Sequence, residues 1–392
     1  MSIRTTLGGL FLFTLAAFSS MALEPVEVLI ERIEGALEED AKGDDDLTLA
    51  EVMQRYHIPG VSVAVIWDNE VHWAKGYGVA DVETDAPVTP ETLFQAASIS
   101  KPVHAMAVLR AIQEGHFGLN DDINSILESW KLPQNEFTAI RNVTPRMLMS
   151  HTSGTDDGFG FPGYHPDKPR PSLVQILNGA EPSNVGPVLV AREPFTRYKY
   201  SGGAVVMMQL ALMDALEKPY ETIMQELVLG PIDMTNSTFA QPLIPELDRN
   251  AARAHSNRGK AMNTKWHIYP EQSAAGLWTT PTDLCKFALD VKRSLDGEGG
   301  VLDRERALLM VNPVGIGSYG AGFSIEKQGE GWYFSHGGSN WGFQCAMVAH
   351  REKGYGMAVM TNSSLGPRAI DALVRRVTRV YEWDMHVEPL RR

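Results

Sequence analysis

Gln95-Ala96-Ala97-Ser98-Ile99-Ser100-Lys101-Pro102 leads into an apolar run, Val103 to Glu114, that stops at Gly115. Proline is tolerated in a first helical turn because its missing N–H would be unpaired there, so the spacing predicts a helix that begins near Ser98. Ser98 and Lys101 then share one helix face and can interact. A serine hydroxyl is a weak nucleophile until a base takes its proton, and a partly desolvated lysine is such a base. The helix start adds partial positive charge and free N–H groups, which favour a developing oxyanion and depress a nearby amine's pKa. Alone, S-x-x-K has a plainer explanation, an N-cap serine followed by a surface lysine.

Two further motifs separate these alternatives. Tyr200-Ser201-Gly202 stands just ahead of an apolar helical run, Ala204 to Ala215, and is able to bring a phenol to the serine. His336-Gly337-Gly338-Ser339 falls in a β-rich block, where small residues let a strand edge lie along a bound substrate. A backbone N–H of Ser339 would then join that of Ser98 as a two-donor oxyanion hole.

The order S-x-x-K, Y-S-x and H-x-G resembles the family of class C β-lactamases, D,D-peptidases and esterases. Supporting stretches are Tyr77-Gly78-Val79-Ala80-Asp81, Leu148 to Gly154, Gly230 to Thr238, and Ala275 to Leu284, which together span most of the chain. The resemblance implies Ser98 as nucleophile, Lys101 as its proton acceptor and Tyr200 as the group that passes a proton to the leaving group and later activates water. It places His336 through Ser339 as the strand beside the substrate. Two departures bear on substrate choice. Gly202 stands where lactamases and peptidases of the family usually carry Asn, which removes an amide that would bind a substrate carbonyl. His336 stands where class C lactamases carry lysine, matching the H-x-G form of some D-peptidases and esterases. Its imidazole is expected to attract a substrate carboxylate more weakly than lysine does, and in a pH-dependent way.

Around these motifs the pattern predicts an α+β fold. Val61 to Trp67 is β-branched and apolar, Asp68-Asn69 supplies a turn, and Val71 to Tyr77 alternates, which reads as a hairpin. A second β-rich block runs from Tyr319 to Met360 and leads into an amphipathic helix over 367–382. Val26 to Met53 carries helical spacing, and its acidic run Glu38 to Asp46 reads as a solvated face or loop. Between about Lys101 and Thr280 strand signals are few. The expected architecture is an antiparallel β-sheet flanked by terminal helices, with a large, mainly helical domain inserted and the active site between the two. The segments assigned are 23–110 with 270–392 for the sheet domain, and 111–269 for the helical one. Thr152 to Arg170 is a long Gly-, Pro- and aromatic-rich loop, often a functional feature.

Met1 to Ala22 has the charged, apolar and small-residue layout of a secretory signal. A periplasmic or secreted protein is expected, with no stable membrane span once the signal is removed. The formal charge of −13 leaves no basic footprint for nucleic acid. Two cysteines, Cys285 and Cys345, are too few for a thiolate metal site and read as buried thiols or a single disulfide. His151 and His165 flank the long loop without a second ligand at metal spacing, so no metal and no cofactor are expected. Gly315 to Gly320 matches G-x-G-x-x-G but precedes a β-like run, which indicates turn glycines, and Glu246 to Asn250 reads as a solvated charged loop.

The expected function is that of an exported serine hydrolase that forms an acyl-enzyme on Ser98 and cleaves small esters, lactones or D-amino-acid-type amides. The alternatives are a β-lactamase or D-alanyl-D-alanine carboxypeptidase proper, with β-lactams or peptidoglycan peptides as partners, and a penicillin-binding sensor that acylates without turnover. A purely structural protein would leave Ser98, Lys101 and Tyr200 unexplained.

Overall fold

The computed structural model describes residues 24–37, 44–157 and 160–385, so the secretory signal expected at 1–22 lies outside the described residues. Among the described residues nine strands form: β1 Gly60–Trp67, β2 Glu70–Asp81, β3 Ala86–Pro87, β4 Phe94–Gln95, β5 Trp278–Thr279, β6 Ser324–Gln328, β7 Gly331–Asn340, β8 Phe343–His350 and β9 Gly356–Thr361. Seven of them make one sheet in the order β3-β2-β1-β9-β8-β7-β6, and β4 pairs with β5 in a short ladder. Neighbours run antiparallel, and the seam between the two β blocks is β1 against β9, with Val61 opposite Thr361 and Ile66 opposite Gly356.

β1 is apolar on both faces because both faces are covered. Val61, Val63 and Val65 point into one core with Val359 and Met357, under helices Val26–Glu34, Leu49–Arg55 and Pro367–Val380. Ala64 and Ile66, on the alternate face, enter a second core with Ala358 and Met360. The helix Pro281–Asp296 packs over this inner face against β1, β2 and β9. The terminal helices therefore form an outer layer, and the rest of the chain builds on the inner side of the sheet.

The N-terminal pattern resolves into two helices rather than one. Its acidic run is not simply solvated: Asp45 is buried and takes Arg375 Nη2 at 2.8 Å and Nε at 3.0 Å. Arg376, wholly buried in the C-terminal helix, donates to the carbonyls of Ile33 at 3.1 Å and Gly35 at 3.0 Å, and to that of Leu47. The two ends of the chain are thus fastened together.

Between Gln113 and β5 the described residues form helices and loops, joined only by isolated β-bridges. The helix Gly202–Leu216 is apolar on nearly every side and correspondingly buried through Leu212. Among the described residues no helix is long and apolar enough to cross a membrane. Cys285 and Cys345 are both free and buried.

Candidate active site

The β4–β5 ladder, with Gln95 opposite Trp278, delivers the chain to Ala97, whose φ of 47° is left-handed. That turn puts Ser98 in a short 3-10 segment, Ala97–Ile99, and the α-helix proper runs Ser100–Gln113. The helix thus starts two residues later than its spacing predicts. The reason is local: Ser100 Oγ donates to Ala97 O at 2.6 Å and accepts from Leu277 N at 3.0 Å, which locks the turn.

Lys101 Nζ lies 3.0 Å from Ser98 Oγ and donates to Ala274 O at 2.7 Å, from the short helix Gln272–Ala275. Burial lowers its pKa to about 7, against the opposing charge of Asp157. Near neutral pH an appreciable share of this amine is unprotonated, the form that accepts a proton from serine.

Tyr200 precedes the helix Gly202–Leu216 and is fixed by that helix's cap. Ser201 Oγ accepts from Ala204 N at 2.9 Å and donates to Asp157, whose second oxygen accepts from Gly203 N at 2.6 Å. Ser201 N donates to His151 Nδ1 at 3.2 Å, and the His151 ring lies 4.3 Å from that of Tyr200. Burial raises the Tyr200 pKa, while a hydrogen bond with Ser98 acts in the opposite direction, so the phenol stays protonated at neutral pH. Its ring also lies 5.0 Å from Lys101 Nζ. Asp157 escaped the sequence reading; the only pointer to it was the long loop in which it lies.

β7 closes the third side. β6 ends opposite Ser335, so β7 from His336 to Asn340 has no partner on that edge. Asn340 and Phe343 close a two-residue hairpin with β8, so their backbone groups face each other and those of Ser339 point to the open edge. Gly338 permits the approach to the nucleophile, since a Cβ there would collide with Ala96 O and Cys345 Sγ. Asn340 Nδ2 ties the strand end to Gln95 Oε1 at 2.9 Å and Ala275 O at 3.0 Å.

His336 behaves differently from the expectation. Its ring is buried, with Nε2 2.8 Å from Tyr319 Oη and Nδ1 2.6 Å from Gly337 O. Burial, with the Lys101 charge in addition, depresses its pKa to about 3. Both nitrogens are engaged within the protein and the ring is neutral in the physiological range, so a pH-dependent attraction for substrate carboxylates has no basis in this geometry.

Ser98, Lys101, Tyr200 and the segment His336 to Ser339 all line one cleft of about 790 Å³. Gly202 lies just behind its wall: a Cβ on it would stand 2.7 Å from the ring of Phe161, which lines the cleft. Phe161 is held by its neighbours, since Pro162 O lies 3.0 Å from His267 Nδ1 and Tyr164 exchanges backbone bonds with Ile268 at 2.8 Å. His165 sits near His267, with ring centroids 6.3 Å apart. Among the described residues no group of three or more His, Cys, Asp or Glu is placed to hold a metal ion.

A sheet of this order carrying a serine at the head of a helix, with a lysine and a tyrosine beside it, defines a β-lactamase-fold serine hydrolase. The chain belongs to the beta-lactamase family, whose model matches residues 46–379. Among curated relatives, Protein flp of Staphylococcus aureus (strain MRSA252) is 22% identical over 347 residues, covering 86% of this chain. The chain spans 66% of that relative's length. Among solved structures, the octameric penicillin-binding protein homologue from Pyrococcus abyssi aligns with a TM-score of 0.69 and 22% identity, over 87% of this chain and 77% of its own. The D-amino acid amidase from Ochrobactrum anthropi SV3 aligns with a TM-score of 0.68 and 20% identity, over 91% and 99%. At these identities the solved structures speak for the fold.

Proposed function

We propose that this protein is an exported acyl hydrolase that cleaves small esters, lactones or D-amino-acid-type amides through a covalent intermediate on Ser98. The observation that carries the proposal is the 3.0 Å contact between Lys101 Nζ and Ser98 Oγ, with the amine buried and its pKa near 7. Neutral Lys101 takes the serine proton as Oγ attacks the substrate carbonyl, and the N–H groups of Ser98 and Ser339 receive the oxyanion. The Tyr200 phenol gives a proton to the departing alcohol or amine and is reprotonated by Lys101; in deacylation the neutral Lys101 takes that proton back as the Tyr200 oxygen takes one from the attacking water, and the proton returns to Ser98 Oγ as the acid leaves.

Esters are favoured over β-lactams by the wall at Gly202. Phe161 fills the space a side chain would need there, so no amide from this position reaches a substrate carbonyl. Activated esters need little such orientation. The amidase named above gives the amide class its place in the proposal, and the secretory layout of residues 1–22 supports export.

The test is to incubate the protein with p-nitrophenyl butyrate, a fluorescent penicillin and a D-Ala-D-Ala peptide, following adduct mass and turnover together. The ester should show the highest kcat/KM, and Ser98→Ala should form no adduct with any of them. A higher kcat/KM for the penicillin would replace this reading with a β-lactamase.

A further inference from the structure

Charge is scarce in the cleft. Among the described lining residues only Lys101 and Asp371 carry side chains that can be charged near neutral pH. The Lys101 amine is buried beneath the nucleophile and directed at Ser98 Oγ and Ala274 O. Neutral as the working base, it spends its donors on Ser98 Oγ and Ala274 O when protonated. His336 is turned inward onto Tyr319 and Gly337.

Asp371 stands on the helix Pro367–Val380, on the cleft wall shared with Gln344, Pro367 and Ile370. A helical carboxylate commonly pairs with a cation three or four residues away, and Arg368 and Arg375 occupy those positions. Both are engaged elsewhere. Arg368 lies over the Tyr56 ring, 5.3 Å from its centroid, and Arg375 is bound to Asp45 at 2.8 Å. Among the described residues no ion pair is formed by Asp371, which is exposed and lines the cleft.

We propose that the Asp371 wall selects substrates by charge: it accepts uncharged and ammonium-bearing acyl compounds and rejects those with a carboxylate. This rests on the acyl-hydrolase reading and narrows its substrate class. A carboxylate entering the cleft would shed water without meeting an exposed cation, since the Lys101 amine is buried, and would face a like charge at Asp371. An ammonium group would meet an exposed carboxylate of opposite charge, an attraction that salt screens.

Binding can be measured without turnover. Acetylcholine, its uncharged isostere 3,3-dimethylbutyl acetate, and acetoxyacetate would be titrated calorimetrically into the Ser98→Ala protein at low salt. The ammonium ester should bind about 3- to 10-fold more tightly than the uncharged one, and acetoxyacetate at least about 10-fold more weakly. Introducing Asp371→Asn should bring the ammonium-to-neutral ratio close to one, and Asp371→Lys should reverse the order of the two ions. Circular dichroism and Tm would confirm that each variant is folded. Equal affinities, tighter binding of acetoxyacetate, no measurable binding, or a ratio unchanged in Asp371→Asn would each overturn the proposal. Hydrolysis of the same esters by the unsubstituted protein is read separately. If the charge order holds and none is hydrolysed, the acyl-hydrolase reading fails and the charge selection stands.

Discussion

The least certain property of a serine nucleophile in a sequence is whether its base is charged, and here burial decides it. The Lys101 pKa near 7 has its cause in desolvation, partly offset by Asp157. The base works only when deprotonated, so kcat/KM for acylation should rise through about pH 7 and fall about tenfold per unit well below it. A pH-rate profile checks this, and an acid limb near the ordinary lysine value would mean that Lys101 is not so buried. Loss of the nucleophile in Ser98→Ala should reduce kcat on the order of 10⁴-fold or more, with Tm unchanged. Tyr200 serves a narrower step. Nitrophenolate leaves unaided, whereas an alkoxide or amine needs a proton, so Tyr200→Phe should slow acylation by alkyl esters or amides far more than by nitrophenyl esters. Lys101→Ala should slow both. Pre-steady-state adduct formation gives the comparison, and equal losses in Tyr200→Phe would place the phenol on serine activation instead.

Among the elements, the loop that carries Phe161 and the helix that begins at Gly202 act as a pair. Gly202→Asn places a Cβ 2.7 Å from the Phe161 ring, so that variant should lose about 1–2 kcal/mol of stability or shift the loop out of the cleft. Adding Phe161→Ala should recover the loss, with a coupling of about 1 kcal/mol or more across the double-mutant cycle. It should also raise the acylation rate with benzylpenicillin above that of either single variant, because only then does an amide at 202 have room beside the substrate. Additive losses would show that the ring and the glycine are independent.

For the whole molecule, the buried carboxyl Glu271 is set against the fold. No other residue hydrogen-bonds its two oxygens, and burial, partly offset by its own backbone N–H, raises its pKa to about 8. An acid whose folded pKa exceeds its unfolded value loses stability as pH climbs from the unfolded pKa, near 4.5, toward the folded one. Stability should therefore decline across that window, and Glu271→Gln should flatten the decline, gaining on the order of 1–3 kcal/mol near pH 8. Chemical denaturation at pH 5 and pH 8 measures both. A steeper decline in the variant would contradict the assignment. Glu271 immediately precedes the helix that offers Ala274 O to Lys101, so this strain lies beside the site.

Local chemistry made much of this protein readable in one dimension. Ser98 and Lys101 are three residues apart on one turn, so backbone geometry alone brings them together. The β-branched apolar run Val61 to Trp67 and the helical spacing over 367–382 likewise reveal a strand and a helix from local pattern. That two β blocks far apart in sequence share one sheet was expected, but that β1 meets β9, and in which register, depends on how both faces are covered. What spacing does not encode is what a side chain meets across the fold. His336 loses its charge to burial and to Tyr319, Asp157 reaches the cap of a helix 45 residues on, and Phe161 takes the space beside Gly202. Among the described residues Asp371 forms no ion pair, while the arginines three and four residues from it find Tyr56 and Asp45. The sequence by itself determined the class of fold and singled out Ser98 and Lys101 as the candidate nucleophile and base, since these rest on periodicity or on contacts within a turn. The charge and shape of the cleft, on which the proposed substrate preference rests, were decided by tertiary structure alone, because desolvation and steric exclusion arise from residues that meet only after the chain has folded.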